Sequence, residues 1–183
     1  MVEPIRTEMT QLRKENEDLR LQVDELEQYG RRPLIRVSGI PESHDESTTE
    51  KLLKVTSSAG VPLAPTDIVT SHRAGDPRKQ RNSPRQIIVR LRTTDVKFSL
   101  MKDAKKLRKQ TETRHIAINE DLTKYRDRLL YLCRQLCREH KLKQAWSSNG
   151  KISVRDNGDR TYAVRKESDL VPFGHVMKES GST

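Results

Sequence analysis

The sequence predicts an α+β protein built from three consecutive modules, and three observations carry that prediction. Apolar residues recur every seven positions over residues 1–30, β-rich and helical segments alternate over 31–120, and an amphipathic helix followed by turn-punctuated strands fills 121–170. Residues 171–183 are polar and read as a flexible tail. Charge divides along the first of these boundaries. Of the 36 Lys/Arg and 26 Asp/Glu in the chain, residues 1–30 hold four and eight, a net of −4, so the remaining 153 residues carry +14.

In the first module, placing Ile5, Leu12, Leu19 and Leu26 at heptad position d puts Val2, Met9, Asn16 and Val23 at a, an apolar seam with one polar interruption. Glu8 and Glu15 at g each precede by five residues an arginine at e, Arg13 and Arg20, the offset of interhelical pairs in a parallel coil. The segment is expected to self-associate as a parallel coiled coil through Met9, Leu12, Asn16, Leu19, Val23 and Leu26. Asparagine at a with leucine at d favours two strands. In the alternative, a lone amphipathic helix packed on its own domain, the charge pairs would be superfluous.

After Gly30, the run Leu34-Ile35-Arg36-Val37-Ser38-Gly39-Ile40-Pro41 alternates as a first strand. Ser47-Thr48-Thr49-Glu50 has the form of a capping box opening a helix that carries Leu52, Leu53 and Ala59 and stops at Gly60 and Pro62. A second strand spans 68–73, a long polar loop 74–84, and the strongest strand signal of the chain 85–91. Val96, Leu100, Ala104 and Leu107 then recur at helical spacing, leaving Lys97, Lys102, Lys105, Lys106 and Lys109 for solvent, and 115–119 supplies a fourth strand. The order βαββαβ is that of a ferredoxin-like split unit, the topology used by RNA-recognition motifs.

The charge of this module is concentrated. From Arg73 to Lys109 there are seven Arg and six Lys against three Asp, a net of +10. Arg73, Arg78, Lys79, Arg81 and Arg85 dominate the first half, and a loop so rich in arginine is suited to closing over a single strand lying on the sheet. The first and third strands lack the aromatic residues on which bases usually stack. Their outward positions are Arg36, Ile88 and Arg90, so binding is expected to run through phosphate with weak base selectivity.

In the third module Asp121 or Thr123 caps a helix running through Lys141. Leu122, Tyr125, Leu129, Leu132 and Leu136 line one face, with Leu130, Cys133 and Cys137 beside them. Arg126 falls inside the apolar arc, where a guanidinium either pairs with a carboxylate such as Glu120 or lines a cleft open to phosphate. Asn149-Gly150 marks a tight hairpin and 156–159 a second turn, giving a meander with Ile152, Val154, Tyr162 and Val164 inward and Lys151, Ser153 and Arg155 outward. Trp146 is expected to pack against this sheet rather than to serve as a base platform. From Glu167 on the chain is polar and expected to fray.

Composition narrows the function classes. With a mean hydropathy of −0.87 and no apolar run near the roughly 20 residues needed to cross a bilayer, no membrane partner is expected. The N-terminus carries no secretory signal, and two cysteines four apart in a helical pattern read as reduced thiols. Neither a phosphate-binding glycine loop nor a zinc-protease helix is present, so no enzyme activity and no cofactor are expected. Cys133, Cys137 and His140 offer three ligands on one side of a helix where structural zinc needs four, so no metal is expected either.

Several stretches together carry a family resemblance. They are Glu27-Gln28-Tyr29-Gly30-Arg31-Arg32, Leu34 to Glu42, His72-Arg73-Ala74-Gly75, Gln86-Ile87-Ile88-Val89-Arg90-Leu91, Ile118-Asn119-Glu120-Asp121-Leu122-Thr123 and Ala145-Trp146-Ser147-Ser148-Asn149-Gly150-Lys151-Ile152. Over about residues 15–170 the chain resembles the RNA-binding protein encoded by the first open reading frame of LINE-class, non-LTR retrotransposons. The resemblance implies a coiled coil, an RNA-recognition motif and a C-terminal domain, assembled as a trimer that coats its own transcript in a ribonucleoprotein particle and acts as a nucleic-acid chaperone. It implies that Arg81, Arg85, Arg90 and either Arg126 or Arg128 line the RNA cleft, and that the particle is cytoplasmic or nuclear.

The expected partners are single-stranded RNA, or single-stranded DNA, and further copies of the chain, three by resemblance and two by heptad rules. The expected contacts are Arg36, Arg73, Arg78, Lys79, Arg81, Arg85, Arg90, Lys102, Lys105, Arg126, Arg128, Lys151 and Arg155. The competing expectation is a coiled-coil adaptor whose basic surface binds acidic partners.

Overall fold

Local sequence signals account for most of the elements in the computed structural model, which describes residues 3–79 and 82–177. The heptad segment is one helix, α1 (Glu3–Arg31). It is followed by β1 (Leu34–Ser38), α2 (Thr48–Ser58), β2 (Ile68–Arg73), β3 (Ile87–Leu91), α3 (Thr94–Asp103) and β4 (Ala117–Glu120). Then come α4 (Lys124–Arg138), β5 (Gln144–Ser148), β6 (Lys151–Arg155) and β7 (Thr161–Val164). The protein is α+β and folds as two compact units. One is Arg32–Asp121, and the other joins α1 to the segment beginning at Leu122.

In the Arg32–Asp121 unit, alternation sorts each strand into a buried and an open face. The strands lie in the order β2-β3-β1-β4, every neighbouring pair antiparallel. Ile35, Val37, Ile87, Val89, Leu91 and Ile118 point to one side and form a core with Leu52 of α2, Leu100 of α3 and Leu107. The opposite face carries a row His72–Ile88–Arg36–Asn119 in register, with Thr70 paired to Arg90 beside it. Two caps set the helices. The Ser47 hydroxyl accepts from the Glu50 amide at the start of α2, and the Thr93 hydroxyl from the Val96 amide at the start of α3. Helical spacing assigned Lys97 to solvent. It is instead buried, with its Nζ 3.0 Å from Glu120 and donating to the Arg32 carbonyl, because the apolar stripe of α3 is wide enough to take in its flank.

In the other unit Thr123 caps α4, its hydroxyl accepting from the Arg126 amide, and Leu129, Leu130, Cys133 and Leu136 turn inward. They meet Ile152, Val154 and Val164 from the antiparallel sheet β5-β6-β7. Asn149 and Gly150 have φ of 51° and 78°, the pair of left-handed residues that a type I′ hairpin requires. Residues from Glu167 on were expected to fray. Glu167–Phe173 instead form a 3₁₀ turn with Leu170 fully buried in this core and Phe173 edge-on to Tyr162 at 5.3 Å, so one apolar side chain in a polar run anchors the segment.

α1 packs on this unit through the face that the heptad leaves polar. Asp24 (position b) and Gln28 (position f) are buried against the start of α4. Gln28 Oε1 accepts from the Thr123 amide at 2.9 Å, and Asp24 accepts from the Thr123 hydroxyl. The a and d residues face away. Ile5, Met9, Leu12, Leu19, Val23 and Leu26 are each 48–75% exposed. The helix therefore docks on its own unit with one face and keeps its apolar seam open, so the two arrangements weighed from sequence are compatible. No helix among the described residues is long and apolar enough to cross a membrane.

Candidate nucleic-acid interface

The basic stretch divides into cations held by the fold and cations left to solvent. Arg73 belongs to the first group. All five of its N–H donors are used: two on Glu46 (2.6 and 3.0 Å) and three on the carbonyls of Ile40, Pro41 and Arg85. Its side chain is only 5% exposed, so Arg73, expected to contact nucleic acid, is instead a structural clamp between β2 and the loop after β1. The Arg73 guanidinium, helped by Lys51, holds the Glu46 carboxyl down to about 2. Arg85 is likewise engaged, its Nε and Nη2 on Glu42 at 2.9 and 2.8 Å, and it lowers the Glu42 carboxyl below the usual range. Lys97 pairs with Glu120 and Lys106 with Asp103.

Eight cations of the stretch form no ion pair among the described residues, and all are exposed: Arg78, Lys79, Arg90, Arg92, Lys102, Lys105, Arg108 and Lys109. Arg92, Arg108 and Lys109 are additions to the expected set: Arg92 and Arg108 were visible in the sequence only as part of the charge count, and Lys109 as a lysine that helical spacing leaves for solvent. Arg81 lies outside the described residues. Arg90 stands on the open face of the sheet opposite Thr70, and Arg36 lies one register step away. Arg36 is tethered to Asp121 (2.9 and 2.6 Å) and Gln86 (3.0 Å) yet stays one-third exposed, so it is oriented rather than consumed. Lys102 and Lys105 lie on α3 and the turn after it, on helical surface and not on the open sheet face.

In the unit containing α4, Arg126 is withdrawn from solvent. Its Nε meets Asp24 at 2.7 Å, Nη2 meets Glu25 at 2.5 Å and Nη1 donates to the Gly150 carbonyl at 2.9 Å. Burial works against the charge, but the hydrogen bonds to Asp24 and Glu25 outweigh it and raise the Arg126 pKa. The internal partner is thus supplied by α1, not by Glu120, and Arg126 is unavailable as a phosphate contact. Arg128 is two-thirds exposed, with Glu167 3.7 Å away. Lys151 is exposed, and Arg155 lies over the Trp146 ring with its Cζ 5.7 Å from the centroid. Trp146 pairs with Ser153, which puts it on the face away from the core, while its neighbours Ala145 and Ser147 pair with the buried Val154 and Ile152.

The remaining candidates are quiet. Burial pushes the Cys133 thiol up to about 12 and raises Cys137 as well, so neither is a ready thiolate. Beside the open α1 seam is a groove of about 740 Å³ lined by Leu21, Val23, Tyr125, Arg128 and Met177.

The family comparison bears on the second of these surfaces. A family model matches residues 123–173: Baculovirus FP protein domain 2. The match runs from the cap of α4 to the end of the 3₁₀ turn, about a quarter of the chain. No curated protein is similar enough to the chain to count as a match. The resemblance to LINE-class first-frame proteins is corrected by this finding, and the retrotransposon and RNA-recognition-motif assignments go with it. The stretches that carried it lie at the end of α1, along β1 and β3, at the end of β2, across the β4–α4 connection and on the β5–β6 hairpin, each of them short. They report local geometry rather than descent.

Proposed function

We propose that this protein is a self-associating binder of single-stranded nucleic acid that grips the sugar-phosphate backbone with little base preference. The observation that carries the reading is the set of eight exposed cations between Arg78 and Lys109 that have no carboxylate partner among the described residues. Ordinary soluble surfaces intersperse both signs, whereas here the unneutralised positive charge is concentrated in one segment of a compact unit. Read as a ferredoxin-like split sheet, the order β2-β3-β1-β4 gives a helix-free face on which Arg90 and the oriented Arg36 offer planar forks to phosphate. No Phe, Tyr or Trp stands on that face, where the only ring is the imidazole of His72 on β2, so bases gain little there.

Self-association rests on the open a/d seam of α1 and its paired g and e charges. An apolar row that its own unit leaves uncovered suits a second copy of the same helix. Multiple copies would multiply weak phosphate contacts along one strand.

Titration of single-stranded RNA at several salt concentrations tests the reading. Log affinity should fall linearly with log salt, with a slope of about −0.7 for each phosphate neutralised on a single strand. Failure of oligonucleotides of every sequence to bind at low salt would leave the adaptor reading, in which the same cations meet an acidic protein.

A further inference from the structure

The three-stranded sheet β5-β6-β7 presents an outer face built unlike that of the larger sheet. Trp146, the single tryptophan of the chain, stands on it opposite Ser153. Lys151 and Arg155, two residues to either side of Ser153 on β6, are its diagonal neighbours on the same face. The next residue across the sheet is Ala163, whose methyl group is too short to cover the indole. Arg155 holds its guanidinium over the indole at 5.7 Å, and its Nε–H, shielded from solvent, has no hydrogen-bond acceptor among the described residues. Lys143, bound to Asp159 at 2.5 Å, holds that carboxyl below its usual range, and Arg155 adds to this only through its charge.

An indole in the core would serve packing, and one beside carboxylates would be a surface accident. This one is half-buried on the solvent side of a sheet, between two cations that have no carboxylate partner among the described residues. We propose that Trp146, with Arg155 and Lys151, is a base-stacking platform for single-stranded nucleic acid. The indole supplies the π-face, Arg155 extends it as a planar cation, and Lys151 takes the adjoining phosphate. This inference rests on the nucleic-acid reading above and adds what the first surface lacks, an indole contact to the base. Stacking tolerates every base, so it fits binding with little sequence preference.

The single tryptophan gives the test its own reporter. Intrinsic fluorescence of the full chain is titrated with oligothymidylate of about twelve nucleotides, and separately with an abasic strand of the same length. The platform predicts quenching by oligothymidylate but not by the abasic strand. With variant affinities read from the fluorescence anisotropy of end-labelled strands, it also predicts that Trp146→Ala weakens oligothymidylate binding roughly ten-fold, that Trp146→Phe restores most of the loss, and that neither change alters abasic binding. Equal affinity for both strands, with no quenching and no effect of Trp146→Ala, would overturn the platform and leave phosphate binding standing. Binding of neither strand would overturn the nucleic-acid reading and the platform together. Quenching by poly-glutamate as strong as that by oligothymidylate would assign the face to acidic protein and overturn it too.

Discussion

Two basic regions carry arginines that look alike in sequence and do opposite work. At the base of α1, Arg126 is enclosed by Asp24, Glu25 and the Gly150 carbonyl. On the larger sheet, Arg90 is exposed and forms no ion pair among the described residues. Arg73 repeats the first pattern inside the second unit, all five donors committed. The difference lies in the partners. A guanidinium becomes structural when folding encloses it among carboxylate and carbonyl acceptors, and stays available to an external anion when part of it is left open to solvent. The two sheets differ as well: one open face sets Arg36 and Arg90 among His72, Ile88, Asn119 and Thr70, and the other sets Lys151 and Arg155 around an indole.

The sharpest way to break this division is to remove the enclosed arginine. Arg126→Ala should leave Asp24 buried without its cation and cost about 3–5 kcal/mol in urea unfolding. Unchanged stability would show that the pair is not structural. Glu46→Gln should cost about 3 kcal/mol by stranding Arg73. Because the folded Glu46 pKa is about 2 against an ordinary 4.5, its contribution is fully present above about pH 4.5 and is lost as pH falls toward 2. The variant should therefore show a shallower stability loss across that window in acid titrations followed by circular dichroism.

The open seam gives the next test. Leu12→Lys combined with Leu19→Lys should reduce the sedimentation mass to that of one chain while leaving the Asp24–Arg126 contacts undisturbed, since those occupy another face of α1. The smallest effect on stability is expected where the proposed function is strongest. Replacing Arg78, Lys79 and Arg90 by alanine should change stability by no more than about 0.5 kcal/mol per site, yet lower the magnitude of the salt slope for single-stranded RNA by about 2. A stability loss comparable to that of Arg126→Ala would erase the distinction between the two groups.

Much of the fold was legible locally. The heptads marked α1, Ser47 marked the start of α2, strand β2 spans the residues 68–73 expected of it, and Asn149-Gly150 fixed the hairpin and with it the register of Trp146. Given that register, the outward position of Trp146 follows from the inward Ile152 and Val154, although a lone tryptophan reads first as core. The candidate site was less legible. Lys97 carried the spacing of a solvent-facing lysine and is buried on Glu120, while the polar run after Glu167 concealed Leu170.

By itself, then, the sequence determined the periodic helices and strands, the turn that sets the small sheet, and a positive surplus large enough that some cations had to stay unpaired. Such features depend on neighbours within one helical turn or one hairpin, or on a total that folding cannot change. Only the tertiary structure decided which cations those are. Arg126 finds Asp24 from 102 positions away, and Arg36 finds Asp121 from 85. No local pattern encodes a pairing of that range, because it exists only after two separate stretches of chain pack against each other.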